Sequence, residues 1–117
     1  AIKFIRSPVL CITHGLNASA GTVILLAPPN ERRFSLPNSR IMIHQPSSGV
    51  RGKASENEIT ADEILKLRRR CNELIASETG RDVEQVEKDT NKDYWMSPEE
   101  ACEYGLIGQI LTSLNDL

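Results

Sequence analysis

The sequence predicts an α/β fold, with helices packed on a mostly parallel sheet, from three observations. Short apolar runs of strand character alternate along the chain with stretches of helical periodicity. The helical stretches carry start and stop signals: serine-led capping boxes, prolines and well-placed glycines. The chain is also long enough, at 117 residues with 39% hydrophobic content, for one domain around a real core.

Each element has its own justification. Ile2 to Arg6 reads as the tail of a helix. Val9 to Thr13, opened by Pro8, is a continuous apolar run and reads as a buried strand. In Gly15 to Leu26 (GLNASAGTVILL), Gly15 and Gly21 flank a strand-to-helix turn, and Pro28-Pro29-Asn30 stops the helix that follows. Short strands are expected at Arg33 to Leu36 and Arg40 to Gln45, separated by the turn signal Pro37-Asn38-Ser39. Pro46 to Ala54 is polar and glycine-containing, an exposed loop or edge ribbon.

Ser55-Glu56-Asn57-Glu58 has the spacing of a capping box, in which serine and glutamate satisfy each other's free amides. The long helix it opens gathers Ile64, Leu67, Cys71, Leu74 and Ile75 on one face. Glu63, Lys66, Arg69 and Arg70 form a solvated face, with Arg68 nearer the boundary. Gly80 suits the position that ends it. A short helix starts within Asp82 to Gln85 with Val83 and Val86 inward, and Ser97-Pro98-Glu99-Glu100 caps another. Leu106 to Leu111 reads as a closing strand.

Composition narrows the classes of function. The net charge of −2 comes without a basic stripe, which argues against nucleic acid as a partner. The longest apolar run, Val23 to Ala27, is far too short to span a bilayer, so no membrane partner is expected. Three widely spaced cysteines, Cys11, Cys71 and Cys102, form no CxxC pair and no metal-ligand spacing with His14 or His44. They suggest structural thiols in a reducing, intracellular setting, with neither metal nor cofactor. The start, Ala1-Ile2-Lys3, has no signal-peptide pattern and no initiating Met, so Ala1 is not expected to be the native start.

The chemistry turns on Ser19. A serine before an apolar helix ordinarily caps it. Here Gly15, Ala18, Ala20 and Gly21 leave the turn without bulk, so a substrate could approach the hydroxyl, although the Gly-x-Ser-x-Gly elbow is absent. A nucleophile needs a base, and there are two histidines. His14 reads as a strand-end side chain. His44 closes an apolar strand, where it is either a core histidine or a base at the strand end where α/β sites gather. The residues alone leave the orienting acid open among many carboxylates.

Three stretches narrow these choices. "RFSLPNSRIMIHQP" (Arg33 to Pro46), "EKDTNKDYWMSPEEACEYGLI" (Glu87 to Ile107) and the serine turn resemble ClpP, the family of proteolytic subunits of the Clp protease. The likeness covers essentially the whole chain. It implies a ClpP/crotonase-like α/β fold with a protruding handle helix. It also implies a single domain over residues 1–117 that lacks the family's N-terminal part, with the handle region at 46–80. By the resemblance the chain is a Ser-His-Asp peptidase with Ser19 as nucleophile, His44 as base and Asp93 as acid. Asp89 is the competing acid. The Ala20 amide would be one oxyanion donor, and Pro46 and Ser47 would pair with substrate backbone.

The resemblance further implies stacked heptameric rings joined through the handle, unfolded or peptide substrates, and an ATP-driven Clp-type unfoldase ring, since this chain has no Walker-type loop. It implies a bacterial cytoplasm, or an organellar matrix or stroma. Three departures stand out. The family's front part, with the second oxyanion amide, is missing. Asn91-Lys92 replaces a frequent acid–arginine pair. Asn17 and Ala20 alter the usual Gly-Met-Ala-Ala-Ser-Met-Gly turn. A catalytically silent ring subunit beside an active paralogue is the alternative, and an acyl-CoA-handling crotonase relative is a third reading.

Overall fold

The computed structural model describes residues 2–18, 20–44 and 54–117, with the side chains of 54–60 outside that description. In chain order the elements are β1 (Cys11–Thr13), β2 (Leu16–Ala18), α1 (Ala20–Leu25), β3 (Arg33–Ser35), β4 (Arg40–Ile43), α2 (Ala54–Thr79), α3 (Val83–Thr90), β5 (Tyr94–Met96), α4 (Pro98–Tyr104) and β6 (Gln109–Ile110). Single 3₁₀ turns stand at Ile2–Phe4, Asn30–Arg32 and Leu114–Asp116.

Among the described residues the strands form two three-stranded sheets rather than one, in the orders β1-β3-β6 and β2-β4-β5. Three of the four pairings are parallel, and β5 runs antiparallel to β4. The chain changes sheet four times, twice through α1 or α4 and twice by short turns that lie side by side. The first of these turns is at Gly15, whose φ of 69° suits a residue without a Cβ. The other is the Pro37-Asn38 turn. They are stitched together: the Leu36 N–H and the Ser39 hydroxyl both donate to the Thr13 carbonyl, at 3.0 and 3.1 Å, and the Arg40 N–H donates to the Gly15 carbonyl at 2.8 Å.

The core lies where α1, α4 and the inner ends of α2 and α3 cover the β2-β4-β5 sheet. Leu26, Ile41, Val86, Met96, Ala101 and Leu106 are fully buried there. α2 spans 26 residues, about 39 Å at the helical rise, and only its C-terminal part joins this core. Asn72, Ile75 and Ala76 are buried, whereas Leu65 and Leu67 are 59% and 49% exposed. The helix thus projects from the body, and its expected apolar face is covered at one end only. Its expected solvated face carries exposed ion pairs, Lys66 with Glu63 and Arg69 with Glu73. Gly80, at φ 72°, ends it with the Gly80 and Arg81 N–H groups both on the Ala76 carbonyl.

Several expected boundaries shift. Val9 to Thr13 yields only β1, and Leu10 and Ile12 are 46% and 40% exposed, because β1 lies at a sheet edge instead of being buried on both faces. Leu16–Ala18, expected to be part of a turn, is a strand. β3 stops at Ser35, β4 at Ile43, and the closing strand shrinks to Gln109–Ile110. The N-terminal helix tail is the 3₁₀ turn Ile2–Phe4. α2 spans Ala54–Thr79, and the side chains of the capping box expected at Ser55 to Glu58 lie outside the described residues. Ser97 does cap α4 as expected: its hydroxyl accepts from the Glu100 N–H and the Glu100 carboxylate accepts from the Ser97 N–H, each at 3.1 Å.

Arg33 holds the elements together. It is fully buried, with its Nε donating to the Pro28 carbonyl at 2.8 Å. Its two terminal nitrogens reach the Leu26, Glu78 and Gly105 carbonyls and the Glu78 carboxylate. One side chain therefore ties β3 to the end of α1, the end of α2 and the end of α4. Burial alone would raise the Glu78 carboxyl, but hydrogen bonds and charge from Lys3 and Arg33 outweigh it and hold the group below its ordinary range.

Candidate active site

β4 is the middle strand of its sheet, and Ile41 and Ile43, almost fully buried, fix it to the core. The next residue, His44, is half-buried where the strand leaves the core. On one side of β4 runs β5, with Ile41 opposite Met96, Met42 opposite Trp95 and Ile43 opposite Tyr94. One step further along each chain come His44 and Asp93, which follow and precede this last pair. Asp93 is exposed. On the other side runs β2, parallel, with Ala18 opposite Met42.

Because β2 runs with β4 and β5 runs against it, the end of β2, the end of β4 and the start of β5 lie at the same end of the sheet. There the chain passes from Ala18, the last residue of β2, to Ala20, the first of α1. The leading N–H groups of a helix have no intrahelical acceptor and are free to bind developing negative charge. Ser19, Pro46 and Ser47 lie outside the described residues. The topology thus brings His44, Asp93, Ala18 and Ala20 to one end of the sheet, although they come from distant parts of the sequence.

The other expected candidates stand elsewhere. His14 is exposed and lines a groove of about 470 Å³ with Ile12, Leu36, Leu111 and Leu114, beside the other sheet. Asp89, the competing acid, is engaged by α4 and by its own helix: the Tyr104 hydroxyl donates to it at 2.7 Å and Gln85 Nε2, one turn earlier on α3, at 2.9 Å. Burial first, then the hydrogen bond and charge of Asp89, push the Tyr104 phenol well above its ordinary range. Tyr104 in turn has the Arg81 guanidinium 4.1 Å over its ring and stacks obliquely on Tyr94 at 5.9 Å. Among the described residues no group of three or more His, Cys, Asp or Glu could hold a metal.

Two features escaped the sequence reading. Asn17, expected only to shape the wall near Ser19, lies against the start of α1, within 3.1 Å of the Thr22 hydroxyl. Arg33 and Ser39, inside the "RFSLPNSRIMIHQP" motif, are buried hydrogen-bonding residues of the scaffold. The signal for them was an arginine and serines set among apolar residues. Chemically, the sheet end offers a histidine one step past a strand and a carboxylate one step before its partner strand, a pairing that can hold an imidazole in one tautomer, near the start of α1.

Comparison with known proteins agrees with this architecture. The family model described as Clp protease matches residues 1–114. The chain is 50% identical over 116 residues to ATP-dependent Clp protease proteolytic subunit 3 of Rhizobium johnstonii, covering 99% of this chain and 60% of that protein. It is 51% identical over 116 residues to proteolytic subunit 2 of Treponema denticola, covering 99% of this chain and 58% of that one. A solved structure of a ClpP1 mutant from Listeria monocytogenes superposes with a TM-score of 0.89 at 46% identity, over 97% of this chain and 63% of that one. The chain therefore spans about three-fifths of the length of these relatives.

Proposed function

The chain belongs to the Clp protease family, and from that premise we propose that it supplies the catalytic part of a serine endopeptidase subunit, with Ser19 as nucleophile, His44 as general base and Asp93 as orienting acid. The observation that carries this reading is the β4–β5 register, in which Ile43 opposite Tyr94 makes His44 and Asp93 the next residues beyond the last pair. The engagement of Asp89 by Tyr104 and Gln85 supports Asp93 over its competitor.

In this mechanism Ser19 attacks a peptide carbonyl while His44 takes its proton. Asp93 holds the imidazole in the tautomer that can accept that proton and stabilises the imidazolium that results. The Ala20 N–H, at the start of α1, is one donor to the oxyanion. His44 then gives the proton to the leaving amine, and water repeats the sequence on the acyl-enzyme. Pro46 and Ser47 pair with substrate backbone, which reads main chain rather than side chains.

On the same reading the subunit is one domain with residues 46–80 as its handle, and it assembles with copies or paralogues into stacked rings. The exposed apolar residues Leu65 and Leu67 on the projecting α2 support a role in assembly. A Clp-type unfoldase delivers unfolded substrates. The compartment is reducing, a cytoplasm or organellar matrix, in keeping with the three free thiols.

The test is labelling of the assembled full-length protein by a fluorophosphonate probe. Wild-type protein is expected to label and Ser19→Ala to be silent, with Asp93→Asn slowed about 10⁴-fold. An assembled ring that takes no label would make this a silent structural subunit. Labelling that survives Ser19→Ala would place the nucleophile elsewhere.

A further inference from the structure

The start of α1 is tied to β4 by a side chain that the proposed mechanism does not use. Thr22 lies in the first turns of α1 and is 3% exposed. Its hydroxyl donates to the Met42 carbonyl of β4 at 2.8 Å, two residues before His44. The same oxygen lies 3.1 Å from Oδ1 of Asn17, the middle residue of β2. Gly21 makes room for that amide: a Cβ on residue 21 would stand 3.3 Å from Asn17 Oδ1. Three elements therefore converge on one hydroxyl. The contact forms where the β2–β4 ladder ends, since Met42 is opposite Ala18, the last residue of β2.

A threonine in a helix commonly turns its hydroxyl back to a carbonyl of its own helix, as Thr79 does here to the Ile75 carbonyl at 2.6 Å. Thr22 instead reaches across to the strand. A helix of six residues has little rigidity of its own, so such an external tie decides where its first turn stands. We propose that Thr22, whose one hydroxyl proton lies between two acceptors, the Met42 carbonyl and Asn17 Oδ1, is a positioning residue for the peptidase chemistry. It holds the helix that follows Ser19 at a fixed offset from the strand that ends in His44. The inference rests on the proposed roles of Ser19 and His44. Proton transfer between such partners is steep in distance, and a misplacement of about 1 Å costs up to about 10²-fold.

The test compares Thr22→Val, which keeps the shape and removes the hydroxyl, with Thr22→Ser, which restores it, in the assembled full-length protein and with a fluorogenic short peptide. Thr22→Val is expected to lower kcat about tenfold with KM within about twofold, and to slow fluorophosphonate inactivation equally, while Thr22→Ser stays near wild type. Asn17→Ala, which leaves the Thr22–Met42 bond in place, is expected to lower kcat by a smaller factor. It decides the matter if Thr22→Val does not assemble. A Thr22→Val protein of unchanged kcat and lower thermal midpoint would overturn the inference, because the tie would then be structural only, as would an Asn17→Ala protein with wild-type kcat. The parent reading fails separately. If Ser19→Ala keeps activity, the assigned roles are wrong. If it abolishes activity while Thr22→Val remains fully active, the positioning role alone falls.

Discussion

The two sheets put charged and polar groups to opposite uses. In the β1-β3-β6 sheet the outstanding polar residue is Arg33, wholly buried and directing five hydrogen bonds at fixed partners. In the β2-β4-β5 sheet the comparable groups, His44 and Asp93, sit past the strand ends, the first half-buried and the second exposed. A buried cation with all its donors satisfied can do nothing but hold structure, since any change of partner leaves a charge or a carbonyl stranded. Groups at the rim of a well-packed strand keep a fixed backbone and can still meet a substrate. In a small α/β domain a saturated charge is scaffold, whereas an anchored but exposed one is a candidate for chemistry.

Substitutions test that contrast. The largest effect is expected at the rim. His44→Ala should lower peptidase kcat by about 10⁴–10⁶ with little change in thermal midpoint; an unfolded variant would show His44 to be scaffold after all. Arg33→Leu should do the reverse. It removes a partner from the Glu78 carboxylate and from four carbonyls, and should cost about 3–5 kcal/mol in chemical denaturation while the molecules that remain folded keep their turnover. Ser97→Ala removes one half of the α4 capping box and should cost about 1 kcal/mol, again without touching kcat.

The smallest effect is in acid. The folded-state carboxyl of Glu78 is held below its ordinary range. The group therefore contributes stability that is complete above the unfolded-state value and is lost as pH falls through the lower folded-state value. Glu78→Gln should accordingly show a shallower loss of stability on acidification than wild type, measured by urea midpoints taken across that range. Equal slopes would mean that Lys3 and Arg33 do not bias the carboxylate.

Local signals in the sequence suffice where the structure they specify is local. Ser97 with Glu100, and Gly80 after Thr79, act through neighbours three to five residues away, so their spacing suffices. The strand β2 was not legible, because Leu16-Asn17-Ala18 is three residues long, polar at its centre and set between glycines. Its extended form comes from pairing with β4, which is a tertiary effect. The split into two sheets was hidden for the same reason: nothing in the Pro37-Asn38-Ser39 signal says that the strands before and after it enter different sheets.

Site legibility follows the same division. His44 stood out because a histidine closes an apolar run. Asp93 could not be chosen over Asp89 by local pattern, since both are aspartates in a polar stretch ahead of a helix. Only the resemblance favoured it before the β4–β5 register gave a physical reason. Arg33 carries no local signal, because its partners, Leu26, Pro28, Glu78 and Gly105, are brought together only by the finished fold.

The antiparallel register of β5 has a consequence for errors in folding. A slip of one residue would bring Lys92 or Tyr94 beside His44 in place of Asp93, and would turn Met96, now fully buried, out of the core. The side chain that seals the interior therefore also decides which charge meets the imidazole. On the proposed roles, a misaligned copy would set a cation or a phenol against its base and lose its orienting carboxylate. A chain that could cut peptide bonds would then fail in the harmless direction, as an inert protein rather than a loosely active one.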